Sequence, residues 1–378
     1  MHCPQCGQRE RRVSWNCSGC GAAMDGGVVL VTGITGSGTQ EYLDQVVAEA
    51  KKAGHGHKVA IHDVGGIMRR LAEDDDPEVK WDHILNADER MLRQLRGRAF
   101  EEIVPHFAKE LDTLHIIDLH LSFRWYAFLT AGLQPHYLKE MEPYVRCFIN
   151  IIEDLSKVQE RLARTAWGKR EILELLVWRD EELLLTDLFA DVCGRVSRFA
   201  IARGEPPTLF EQLVWHPEIP KVYLSFPITG LQNDPKAKEE IEAFRDRVRE
   251  FLVVFDPYAC RDYEETYKRE EMGALRKQVG EATMDRDYRF IDQAEAVVAY
   301  FPKKVTSKGV DAEMNHAQRT GKPIFLYSPE DLGGGPFAVP VPPDHVGRTP
   351  DEFLTLLRKQ LAPRTVSANG GKDAAARR

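Results

Sequence analysis

The chain has 378 residues, 43% of them hydrophobic, and a formal net charge of -8 at pH 7. That length exceeds one ordinary core and suits two domains, while the negative balance argues against a protein that coats nucleic acid and leaves small anions as the better partners. No apolar run approaches the roughly 20 residues that span a bilayer, and the chain opens on a cysteine cluster instead of a charged-then-apolar leader, so a cytoplasmic protein with no membrane segment is expected.

Four of the seven cysteines lie within the first 20 residues. Cys3-Pro4-Gln5-Cys6 and Cys17-Ser18-Gly19-Cys20 each set two sulfurs one tight turn apart, which is zinc-ribbon spacing over residues 1–25. Four thiolates close a tetrahedral zinc site and leave no position for water, so the metal is expected to be structural. Two disulfides are the alternative and would need an oxidising compartment. Cys147, Cys193 and Cys260 stand alone and read as small buried apolar side chains.

Val28-Val29-Leu30-Val31-Thr32 reads as a buried parallel strand, followed by Gly33-Ile34-Thr35-Gly36-Ser37-Gly38-Thr39 and a helical pattern from Gln40 to Ala53. Strand, glycine loop and helix in that order form a phosphate cradle, because glycines let backbone N–H groups converge on an anion at a helix N-terminus. Gly33, Gly36, Ser37, Gly38 and Thr39 are the nucleotide-binding candidates here. Leu114 to Asp118 reads as a second strand that ends in a carboxylate, adding Asp118 to that set. Helical patterns are expected over Val145–Ala166 and Lys169–Ala202. Gly204, Pro206, Pro207, Pro217 and Pro220 then mark residues 203–220 as a linker.

These features, with Asp118-Leu119-His120, Arg161, Arg164 and Trp178 to Glu182, resemble the archaeal-type adenylate kinase and related P-loop nucleotide kinases over residues 27–202. The resemblance implies ATP with magnesium at the loop. One departure matters. The pattern G-x-x-x-x-G-K-[ST] requires lysine after Gly38, where this chain has Thr39 and then Gln40. That lysine neutralises charge on the transferring phosphates, so its loss favours a degenerate module that binds a nucleotide over one that transfers a phosphoryl group. Lys58 is a candidate replacement for it.

A new α/β pattern begins at Lys221–Phe226 and continues with a helix from about Pro235 to Phe251, a strand over Leu252–Phe255 and a helix from about Arg276 to Ala294. A strand at Ala296–Tyr300, a helix opening near Val310 and a strand at Pro323–Tyr327 complete it. Alternation of this kind argues for a parallel sheet whose ligands sit beyond the carboxyl ends of the strands. The fold expected for the whole chain is therefore two parallel-sheet α/β domains behind a small zinc ribbon. A further helix is expected from Pro350 to Leu361, and a disordered tail from Arg364 to Arg378.

Tyr223 on the first strand, Asp287, and Ser307-Lys308-Gly309-Val310-Asp311-Ala312-Glu313 followed by Gly321-Lys322-Pro323-Ile324 resemble the nucleoside 2-deoxyribosyltransferase superfamily. The nearer branch is its 2′-deoxynucleoside 5′-phosphate N-hydrolases, over residues 221–330 of a flavodoxin-type sheet. The resemblance implies an N-glycosidase in which Glu313, expected in the first helical turn, attacks C1′ and forms a ribosyl-enzyme. Asp287 would help the base leave, its acid role favoured by a second carboxylate nearby, and Tyr223 would orient the nucleophile.

Ser307, Gly309 and Ser225 are the substrate-binding candidates. Serine at 307, where free-nucleoside transferases carry Asp, favours a 5′-phosphate, although the branch's phosphate loop is replaced by Phe226-Pro227-Ile228-Thr229-Gly230. The superfamily completes its site between subunits, so a homodimer or larger oligomer is expected, and the zinc ribbon could receive a protein partner. Three other readings stay open: base exchange between sugars, a non-catalytic nucleotide sensor, and a defence effector that depletes NAD or nucleotides.

Overall fold

A computed structural model describes residues 26–54, 58–79, 88–125, 128–231, 233–262, 270–331 and 339–361. The expected zinc ribbon at Cys3, Cys6, Cys17 and Cys20 lies outside the described residues, as does the expected tail. The chain divides into two compact units, Met1–Trp215 with Phe255–Gln293 and His216–Val254 with Ala294–Arg378. Each carries a five-stranded sheet, and both are α/β.

The first unit opens on β1 (Gly27–Thr32), α1 (Thr39–Lys52), β2 (Val59–Asp63), α2 (Val64–Asp75), α3 (Glu89–Lys109) and β3 (Leu114–Asp118). A two-stranded antiparallel ribbon follows, β4 (Ser122–Trp125) and β5 (Phe128–Ala131), then α4 (Pro135–Met141), β6 (Val145–Ile152), α5 (Leu155–Leu162) and α6 (Ile172–Val192). It continues with β7 (Ser197–Ala202) and α7 (Pro207–Trp215). The main sheet runs β2-β3-β1-β6-β7, every pair parallel. All six residues of β1 and all eight of β6 are buried, as strands covered on both faces must be.

Two helical expectations are corrected here. Val145–Ile152 is the strand β6, because a short apolar run carries no period that separates helix from strand and its branched residues Val145, Ile149, Ile151 and Ile152 favour the pleated backbone. Ser197–Ala202 is the strand β7, because α6 stops at Cys193 and the chain turns through left-handed Gly194 (φ 80°) and Arg195 (φ 62°). In addition, the stretch read as a linker contains α7. Pro207 opens that helix at the one place where a missing N–H costs nothing, and Leu209, Phe210, Leu213 and Val214 are buried from it. Cys147, Cys193 and Cys260 are buried thiols outside any disulfide.

The second unit starts with β8 (Lys221–Ser225), α8 (Ile228–Leu231), α9 (Pro235–Arg249) and β9 (Val253–Phe255). The chain then gives α10 (Arg276–Gln293) to the first unit and returns with β10 (Ala296–Tyr300), α11 (Lys308–Arg319), β11 (Ile324–Tyr327), β12 (Val346–Gly347) and α12 (Pro350–Leu361). The sheet order is β12-β11-β10-β8-β9, with β10 parallel to both β8 and β11. Residues 221–330, taken together in the sequence, are thus shared: Phe255–Gln293 clusters with the first unit. There Gln293 pairs by two amide bonds with the backbone of Ala200, and Phe255 and Phe290 stack with ring centroids 6.3 Å apart.

Candidate functional site

In the second unit, β8 alternates apolar Val222 and Leu224 with hydroxyl-bearing Tyr223 and Ser225, so the two hydroxyls share one face of the sheet. Both side chains are fully buried. The Tyr223 hydroxyl donates to Glu313 Oε1 at 3.0 Å, and the Ser225 hydroxyl donates to Glu313 Oε2. The structure therefore brings two of the sequence-derived candidates onto the carboxylate of a third at the carboxyl end of β8, with Ser225 on Glu313 where the sequence had assigned it to substrate.

Glu313 is the sixth residue of α11, in its second turn and not its first. The acidic residue of the first turn is Asp311, so the helix dipole, which fades beyond one turn, does not explain Glu313. Ser307 is the N-cap of α11, its side chain accepting from the Val310 N–H at 3.3 Å. A side chain at Gly309 would meet only Ser307 Oγ, at 3.9 Å, so close packing does not demand glycine there.

Asp287 belongs to the first unit. Its Oδ1 accepts two bonds from Arg286, at 2.7 Å from Nη2 and 3.1 Å from Nε. Arg286 is itself buried and donates to the Cys260 carbonyl at 2.8 Å, beside the ion pair of Arg179 with Asp262 at 2.6 Å. Asp154, Cys260 and Asp262 approach one another closely enough to hold a cation. Their charge is already answered by Arg179, Arg286 and Lys157, whose Nζ lies 2.6 Å from Asp154. A cation there would displace guanidinium partners, so these residues do not fit a metal.

The first unit's glycine loop joins β1 to α1. Gly36 (φ 88°) and Gly38 (φ 78°) take the left-handed backbone, and a Cβ on Gly33 would sit 2.7 Å from Ser37 Oγ and 2.8 Å from the Ile151 carbonyl. Ser37 and Thr39 are buried, their hydroxyls 3.0 Å apart. Where the lysine of a P-loop is missing, two guanidiniums reach the loop: Arg161 Nη1 donates to the Gly36 carbonyl and Arg203 Nε to the Gly38 carbonyl, both at 2.9 Å. Arg203 follows β7, inside a segment read from sequence as a strand-free linker, and its role left no mark there.

A cleft of about 420 Å³ is lined by this loop together with Asp63, Asp118, His120 and Arg164. Asp118 and Asp63 occupy paired positions at the ends of β3 and β2. Burial first, and then Asp63 and Glu41, push the Asp118 carboxyl up to about 7. Glu182 from α6 is fully buried and ties the end of β1 to the segment after β3. It accepts from the Thr32 and Ser122 hydroxyls and from the N–H groups of Leu121 (2.6 Å) and Ser122 (2.8 Å).

No protein-family model and no curated protein matches the chain. Among solved structures it is similar to a gluconokinase from Sinorhizobium meliloti 1021, at 13% identity and TM-score 0.27 over 49% of this chain and 87% of that one. It is also similar to a sugar kinase from Janibacter sp. HTCC2649, at 14% and 0.29 over 56% and 96%. A shikimate kinase from Bacteroides thetaiotaomicron gives 13% and 0.28 over 46% and 85%. The P-loop kinase-like arrangement of the first unit stands on its own topology: a parallel sheet, the glycine loop after its central strand, and a helix opening at Thr39. Among the described residues no helix is long and apolar enough to cross a membrane.

Proposed function

We propose that the chain is an N-glycosidase that releases the base of a nucleotide, with the Glu313 carboxylate as nucleophile, and that it also carries a nucleotide-binding P-loop unit. The observation that supports this reading best is the pair of buried hydroxyls, Tyr223 and Ser225, that donate to the two oxygens of Glu313. They fix the plane of a carboxylate that stays partly exposed, as a nucleophile must be held.

In the reaction, the C1′–N bond breaks and its electron pair leaves with the base, which takes up a proton. An oxygen of Glu313 bonds to C1′ as positive charge develops on the sugar, giving a ribosyl ester. Water then attacks C1′, loses a proton, and restores the carboxylate. Attack by a second base in place of water would make the chain a transferase. Asp287 is the proposed proton-handling group on the sequence resemblance, and Ser307 and Gly309 the proposed phosphate contacts.

At the P-loop unit the left-handed glycines and the N-terminus of α1 fit a phosphate group, with Arg161 supplying positive charge in place of the lysine. Magnesium and ATP would add charge neutralisation and a phosphoryl group there. Thr39 at the lysine position favours binding over transfer, which also supports a second reading, a nucleotide sensor. The deciding experiment incubates the purified chain with ribo- and deoxynucleoside mono- and triphosphates and NAD, with and without ATP, and follows free base by chromatography against Glu313→Gln. Base released by wild type alone supports the glycosidase. No release from any substrate, together with tight nucleotide binding, leaves the sensor.

A further inference from the structure

Helix α6 buries one face through Leu176, Leu183, Thr186 and Ala190. The face turned to water is apolar as well. Leu184, Leu188 and Val192 follow one another at one-turn spacing and are 65%, 52% and 61% exposed. A single exposed leucine is ordinary. Here four of the seven large hydrophobic side chains found exposed among the described residues lie on this one helix, the fourth being Leu173, three turns before Leu184. A continuous apolar stripe of this kind marks a surface that another molecule covers.

The charges at the two ends of the stripe say which molecule. Asp180, one turn before Leu184, is exposed, and among the described residues its carboxylate makes no hydrogen bond or ion pair. The cations that act on it, Arg179 and Arg289, are held by Asp262 and Asp187, while Asp285 of α10 adds a second negative charge. Arg195 is exposed just past Val192 and likewise makes no ion pair among the described residues, whereas Arg198 is held by Asp187 and Asp191. The order along the helix is therefore acid, three apolar side chains, base. Two copies of α6 laid antiparallel about a two-fold axis at Leu188 set Leu188 on Leu188, Leu184 on Val192 and Asp180 within reach of Arg195. A parallel pairing sets Asp180 on Asp180 and Arg195 on Arg195, where like charges repel. A partner of uniform charge leaves one end of the stripe unmatched.

We infer that this face of α6 is a self-association surface, and that its occupant is α6 of a second copy of this chain, antiparallel about Leu188. The inference does not rest on base release, and it uses no group of the Glu313 site or of the glycine loop. One helix face covers less than the roughly 800 Å² per partner of a standard interface, so the dimer is expected to depend on concentration.

Sedimentation velocity of the full chain from about 1 to about 100 μM tests it, and wild type is expected to pass from monomer to dimer within that range. Leu188→Glu sets two carboxylates against each other on the axis and is expected to weaken the dimer about a hundredfold or more. At the dilute end it is expected to melt as wild type does, since Leu188 is exposed in the monomer. Asp180→Arg and Arg195→Asp are each expected to weaken the dimer about tenfold, and the two together to restore it to within about threefold, as antiparallel self-pairing requires. A wild type still monomeric at the upper end of the range, leaving the stripe to a different partner, would overturn the inference. A dimer that Leu188→Glu leaves intact, or single charge reversals that the double variant does not repair, would overturn it as well.

Discussion

Removing the Tyr223 hydroxyl is the sharpest perturbation of the candidate nucleophile. Tyr223→Phe deletes one oxygen, keeps the ring in the core of the β8 sheet, and takes away the 3.0 Å bond to Glu313 Oε1. A hydrogen bond to a charged group contributes roughly 1.5–3 kcal/mol, and no water replaces this one on the strand side, because Tyr223 is fully buried. If that bond positions the carboxylate for attack, the loss falls on kcat, by roughly 10- to 150-fold at about 1.4 kcal/mol per factor of ten. KM should change little, since the hydroxyl meets Glu313 and not the substrate. Ser225→Ala should act alike, and the double variant should lose less than the product of the two single effects, because both hydroxyls orient one group. Initial rates of base release measure all three. A Tyr223→Phe enzyme within about twofold of wild type in kcat would refute the reasoning, as would a loss matched by Tyr300→Phe, which changes a buried tyrosine of the same sheet.

The remaining expectations concern a cap and a pH window. Ser307→Ala removes the N-cap of α11 and should cost about 1 kcal/mol in chemical denaturation, while Ser307→Gly should cost only a few tenths. If Ser307 also meets a phosphate, both variants raise KM for a nucleoside monophosphate equally; if it is only a cap, neither does. His62 stacks on His115, with their ring nitrogens 3.0 Å apart, and burial, then His115 and His106, lower His62 from 6.5 to about 4. Because the folded value is the lower one, the contribution to stability is present above pH 6.5 and is lost as the pH falls towards 4. The full shift corresponds to roughly 3 kcal/mol, and His62 is partly exposed, so a loss of about 1–2 kcal/mol is expected after solvent screening. Urea midpoints of wild type should fall between pH 7 and 5, and His62→Gln should flatten that dependence; a wild-type midpoint constant over the range would contradict it.

Which parts of the molecule were legible in the sequence follows from how local their signals are. β1, the glycine loop and α1 could be read because a branched apolar run, left-handed glycines and an amphipathic helix each leave a mark on a few adjacent residues. The strand β6 could not, since an apolar run buried on both faces loses its period, and β7, which opens on exposed Ser197 and Arg198, is marked only by Gly194, the stop of α6 before it. The candidate carboxylate and its tyrosine are 90 residues apart in the chain, and only resemblance to a known arrangement puts them together. The Ser225 contact with Glu313 depends on the register of β8 against the α11 helix, which no local pattern encodes. Arg96 was invisible for another reason: among Arg90, Arg93 and Arg98 on one helix it looks like part of a solvated face, and only the packing of α3 shows it to be the buried one.

The arrangement around Glu313 also bears on why β8 has the sequence it has. A parallel strand buried on both faces ordinarily excludes polar side chains, because each hydroxyl taken from water without a partner costs about 1–3 kcal/mol. β8 carries two such hydroxyls on one face, at Tyr223 and Ser225, between apolar Val222 and Leu224. A purely structural solution would replace both with apolar residues, as in β10, whose run of Ala296, Val297, Val298 and Ala299 is wholly buried. Backbone carbonyls of the sheet are committed to the ladder, so the hydroxyls need an acceptor from outside it. That acceptor is a carboxylate in the second turn of α11, beyond the reach of the helix dipole and only partly buried. Tyr223, Ser225 and Glu313 therefore form one interdependent unit, in which the strand bears the cost of two buried hydroxyls and the benefit is a carboxylate held in one plane. Packing alone does not account for that exchange, whereas the nucleophile role proposed for Glu313 would.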